Sequence, residues 1–124
     1  MKKKIILLTL LVIGFTGMAQ TKYFNTFTLI NNGEGTDVRD NITLTIGKSS
    51  LSINSKTFTF KNAQKTGRNE MYNDSKKGDM VATQYKTNYY EIVLMRYMNY
   101  PNEVYLKIID LVDNQNYLIH LHNN

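Results

Sequence analysis

The sequence predicts an all-β fold: a small antiparallel up-and-down barrel or two-sheet sandwich of about eight strands, after an N-terminal signal helix. Three observations lead there. From Ile42 onward, apolar residues alternate with Thr and Ser in short runs, which is the periodicity of a strand with one buried face. Clusters of Gly, Asn, Asp, Ser and Lys separate the runs and supply turn chemistry. The longest apolar stretch after the leader, Tyr89 to Leu111, is rich in β-branched and aromatic residues. It is broken by Asn99-Tyr100-Pro101-Asn102, so it reads as a hairpin.

The leader comes first in the chain. Lys2, Lys3 and Lys4 form a positive head, Ile5 to Phe15 is almost unbroken apolar sequence, and Gly17 and Ala19 put small residues where a signal peptidase reads. This is the pattern of a bacterial export signal at residues 1–19. Cleavage after Ala19 would leave one antiparallel β domain, residues 20–124, secreted or periplasmic. The apolar run is shorter than the roughly 20 residues a spanning helix needs. The chain has no cysteine to acylate. The processed protein is therefore not expected to be membrane-anchored.

The leader also carries three of the five excess positive charges of the chain. What remains is nearly balanced, so nucleic acid, which needs a concentrated basic patch, is not an expected partner. Without disulfides the domain must rely on its apolar core, which is feasible at about 100 residues.

Tyr23 to Ile30 reads as the first strand, ended by Asn31-Asn32-Gly33-Glu34-Gly35. A three-stranded meander follows, with Ile42, Leu44 and Ile46, then Leu51 and Ile53, then Phe58 and Phe60 on one face. A turn at Gly47 to Ser50 sets Ile46 opposite Leu51 and Leu44 opposite Ile53. A turn at Ser55-Lys56 sets Ile53 opposite Phe58 and Leu51 opposite Phe60. Asn62 to Gly78 is polar and charged, and reads equally as a long loop or as an edge strand around Glu70 to Tyr72. Met80 to Lys86 is the next strand, turning at Thr87-Asn88 into the long hairpin. The last strand, Asn116 to His122, follows a turn at Asp113-Asn114. The register that keeps apolar residues together predicts a core of Met80, Ala82, Val93, Met95, Tyr97, Val104, Leu106, Ile108, Ile119 and Leu121.

Candidate chemistry is sparse. Gly47-Lys48-Ser49 lacks the earlier glycine and the following helix of a phosphate-binding loop, and is a turn. Serine and cysteine nucleophile motifs are absent. Glu91 and Asp110 fall opposite each other, the arrangement of a solvated pair as much as of an acid and a base. His120 and His122 share a strand face, but the expected register surrounds them with Arg96, Tyr105 and Lys107. Cations beside a metal repel it, so no metal is expected, and no cofactor. Together Arg96, Tyr105, Lys107, His120 and His122 compose a cationic, aromatic-centred face suited to an acidic glycan or an acidic protein surface.

The reading that follows is an exported, non-enzymatic binding or interaction module. The alternatives are a small barrel carrying an apolar ligand and a hydrolase with an unrecognised site. A filled interior favours the first and a roomy one favours the carrier.

Overall fold

The computed structural model describes residues 20–31 and 33–124. The expected leader, residues 1–19, and Asn32 of the first turn lie outside the described residues. Among the described residues nine strands follow one another: β1 (Gln20–Asn31), β2 (Glu34–Ile46), β3 (Ser50–Asn54), β4 (Thr59–Lys65), β5 (Glu70–Asp74), β6 (Gly78–Lys86), β7 (Tyr90–Tyr97), β8 (Val104–Asp110) and β9 (Asn116–His122).

Eight of them close into an up-and-down antiparallel barrel. Each strand pairs with its neighbour in the chain, β9 returns to β1, and β4 meets β6 at Gln64↔Lys86 and Lys65↔Tyr85. Closure satisfies the backbone edges that an open meander would expose. β5 stands outside the barrel and, among the described residues, pairs only with β6. Of the two readings open for Asn62 to Gly78, the edge strand is the one that forms. Gly78 ends its turn at φ +89°, and a side chain there would stand 2.5 Å from Asn99 Nδ2.

The barrel interior is filled by side chains from every one of the eight strands, as an eight-stranded barrel allows. Leu44, Leu51, Ile53, Leu94, Leu106 and Leu121 are wholly or almost wholly buried, each contributing about 1.5–3 kcal/mol by leaving water. The first meander pairs as its alternation requires, Leu44 with Ile53 and Ile46 with Leu51. Its third strand departs from expectation. Ile53 faces Phe60 and Leu51 faces Ala63, because one extra residue of β4 bulges between them. Asn62 takes the bulge at φ 54° and donates its backbone N–H to Ser52 Oγ at 2.8 Å.

The long hairpin differs by one residue from the expected register, which sets Val93 opposite Ile108 and Met95 opposite Leu106. Ile92 pairs with Ile108 and Leu94 with Leu106, so the inward row of β7 is Ile92, Leu94 and Arg96. Val93, Met95 and Tyr97, expected in the core, face outward. The neighbouring β6 follows, with Thr83 and Tyr85 inward in place of Ala82 and Met80. The cause is that Ile92-Val93-Leu94-Met95 is apolar on both faces and carries no phase of its own. At its end β7 continues along β6, Met98 N donating to Asp79 O, and leaves β8 early. Glu91 therefore pairs with Ile109 and Tyr90 with Asp110, which separates the expected carboxylate pair. The turn at Asp113-Asn114 is expected to set Ile119 opposite Ile108 and Leu121 opposite Leu106; β9 instead lies two residues away, Leu106 facing Ile119 and Val104 facing Leu121. An even shift keeps the face, so Val104, Leu106, Ile108, Ile119 and Leu121 are buried as expected.

Candidate functional site

Residues expected to form one cationic face are divided between the two sides of the barrel wall. Tyr105, Lys107, His120 and His122 lie on outward rows. Arg96, in phase with the buried Ile92 and Leu94, lies on the inward row and leaves the face. Tyr105 sits beside His120, and their rings stack at 4.2 Å with planes 4° apart. His122 follows at 4.6 Å from His120. Lys107 lies one step farther along β8, beside Leu118 and Val93, exposed and outside this stack.

Two residues that sequence reasoning missed complete the outer cluster. Lys77, from the β5–β6 turn, donates to Tyr105 Oη at 2.7 Å, with its ammonium 4.7–5.7 Å from the rings of Tyr97, Tyr100 and Tyr105. The Tyr105 hydrogen bond holds the Lys77 pKa above its ordinary value. Glu103 places Oε2 3.2 Å from His120 Nε2, within charge-pair reach, although that nitrogen has no well-formed hydrogen bond. Burial pushes the His120 pKa down, with His122 and Lys77 adding to the shift and Glu103 opposing it. On the far side Thr28 donates to Asp37 at 2.6 Å, so its oxygen accepts from His122 Nε2 at 2.8 Å. Lys77 and His122 are hydrogen-bonded within the chain, and Glu103 brings a carboxylate beside His120. Such a cluster fastens the β5–β6 turn to the barrel wall. Among the described residues no three His, Asp or Glu gather as a metal site.

The largely apolar opening is elsewhere, at the barrel end where β4, β7 and β9 begin. A cavity of about 410 Å³ opens between Phe58 and Phe60 of the β4 edge, Tyr90 of β7, Ile108 of β8, Tyr117 and Ile119 of β9, and Phe27 and Leu29 of β1. Its floor is the top of the core, where Phe27, Phe60, Ile108 and Ile119 are buried. Its wall is stiffened by an edge-to-face contact of Phe27 and Phe58, centroids 5.4 Å apart and planes at 89°. Thr57, Thr59 and Asp110 bring oxygen atoms to the rim. Asp110 already accepts from Val112 N at 2.9 Å and Asp113 N at 3.1 Å, which closes the β8–β9 turn.

A signal for this mouth was present in the sequence. Three strands that start at the same end each carry an aromatic residue at or next to their first position: Phe58 just before β4, Tyr90 of β7 and Tyr117 of β9. Up-and-down connectivity gathers those three starts around one rim, which strand-by-strand reading does not reveal. No known protein family, curated protein or solved structure matches the chain.

Proposed function

We propose that the protein is an exported, non-enzymatic binding module whose ligand is small and apolar, held in the aromatic mouth of the barrel. One observation carries the reading: a concave opening of about 410 Å³, walled by Phe58, Tyr90, Tyr117 and buried core residues, at the end of a filled barrel. That volume falls in the usual range for small-molecule sites, about 300–1,000 Å³, and its mostly apolar wall with a few rim oxygens matches their composition. The filled interior below the mouth favours a shallow site at the barrel end and not an internal chamber. Export rests on the leader pattern, and the intact mass of material recovered outside the cytoplasm tests it. A chain beginning at Gln20 agrees, and a full-length chain in the membrane fraction does not.

Binding is tested with a neutral naphthylamine dye that brightens in apolar surroundings. The dye should brighten saturably with the unchanged protein. Tyr117→Asp places a second carboxylate beside Asp110 at an exposed position and should weaken binding about tenfold or more while the fold persists. Equal affinity in that variant, or no brightening with the unchanged protein, overturns the proposal.

A further inference from the structure

The inward row of β7 ends on a cation, and the inward row of β1 carries one near its start. Lys22 pairs with the fully buried Leu44 and therefore points into the barrel, and Arg96 lies in phase with the buried Ile92 and Leu94. Both stand at the end opposite the aromatic mouth, under the β7–β8 loop, where Lys22 Nζ donates to Pro101 O at 3.0 Å. The two charges are close enough to feel each other. Burial first, and Arg96 second, hold the Lys22 ammonium below its ordinary pKa, and Arg96 also acts on the buried Tyr85.

The chemistry of this end is unbalanced. Arg96 Nε is shielded from solvent and donates to no acceptor among the described residues, although a guanidinium carries five N–H donors that need oxygen partners. Among the described residues neither Lys22 nor Arg96 has a carboxylate within 4.0 Å. All ten Asp and Glu residues of the chain lie among the described ones, so no acidic side chain elsewhere answers them. Two like charges gathered at a barrel end, both half-buried and one with a shielded, orphaned donor, cost stability unless an anion joins them. Arg96 Nε and a neighbouring Nη form the side-on fork that takes two oxygens of one carboxylate or phosphate, and Lys22 adds a point charge.

We infer that Lys22 and Arg96 form an oxyanion-binding site inside the barrel end beneath the β7–β8 loop. Its ligand is a carboxylate or phosphate group, small or borne on a larger molecule. This site is independent of the apolar mouth at the other end, and either can fail without the other.

The experiment is thermal unfolding of the full chain in low-salt buffer with sodium phosphate, sodium acetate or sodium chloride at matched ionic strength. Chloride controls for screening of the repulsion, and the variants control for the general stabilisation that phosphate gives proteins. The unchanged protein should gain a saturable excess stabilisation from phosphate or acetate over chloride. The larger response of the two assigns the ligand to phosphate or carboxylate chemistry. Arg96→Met and Lys22→Met should each lose that excess, weakening the anion about tenfold or more, and in chloride should be at least as stable as the parent. Lys107→Met, which removes an outward, exposed cation, should keep the excess. The Arg96 Nε–H resonance should move with the same saturation, a readout that needs no variant to fold. An absent excess, an excess shared by Arg96→Met or Lys22→Met, or an unmoved Nε–H resonance would overturn the site.

Discussion

Asp40 is the one buried carboxylate among the described residues, and it shows how a single polar group can shape a barrel rim. Its two oxygens accept from Lys56 N and Thr57 N at 3.1 Å each and from Thr57 Oγ1 at 2.9 Å, tying β2 to the β3–β4 turn. Burial alone would raise its pKa, but these bonds favour the anion and hold it below the ordinary 3.8. A depressed carboxylate contributes stability that is present above the unfolded value and is lost as pH falls through the folded one. Asp40→Ala should cost about 1–3 kcal/mol at neutral pH by orphaning the turn donors, and should flatten the acid limb of the stability curve below pH 3.8. An acid limb unchanged in Asp40→Ala would show that other carboxylates set it. His120 titrates with the same sign logic. Its folded pKa lies below 6.5, so its share of stability is present above 6.5 and is lost as pH falls through the lower folded value. NMR titration should find its midpoint below 6.5, and Glu103→Gln should lower it further by removing the charge that opposes the shift. A rise in Glu103→Gln would contradict the arrangement.

At the scale of the element, strand identity was legible almost everywhere and strand phase only where the pattern was lopsided. Ile42 to Ile46 and Leu51 to Ile53 alternate cleanly with Thr and Ser, and their pairing follows from the sequence alone. β7 has no polar residue between Tyr90-Glu91 and Arg96, so burying either row satisfies the apolar count. Packing against Thr83 and Tyr85 of β6 and Leu106 of β8 then selects Ile92 and Leu94. The one-residue slip carried Arg96 from the expected outer face into the barrel. The outer cluster also drew Lys77 from a turn 28 residues away from Tyr105, and no local spacing announces such a partner. A pair of neighbours tests the phase. Leu94→Lys should cost several kcal/mol, about 3–5, by losing a core aliphatic and burying a charge, while Met95→Lys should cost about 1 or less. Urea titrations of the two variants measure both. Losses in the reverse order would restore the expected register and return Arg96 to the surface.

Across the whole molecule, the two barrel ends differ in chemistry because the chain alternates direction. Aromatic residues at the starts of β4, β7 and β9 gather at one end, and the inward rows of β1 and β7 deliver Lys22 and Arg96 to the other. Between them the core is filled, so the barrel is a packed plug with two chemically different ends and not an open tube. The seam is its weakest join, two residue pairs between β4 and β6, with β5 continuing along β6 beyond it. The most direct measurement of the central assignment is methyl NMR of the full chain titrated with the neutral naphthylamine dye. Methyl signals of Leu29, Ile108 and Ile119 at the aromatic mouth should move saturably, while those of Leu44 in the filled interior and of Val93 on the outer wall should stay in place. Saturable shifts confined to the outer wall or the cationic end, with the mouth methyls unmoved, would contradict it.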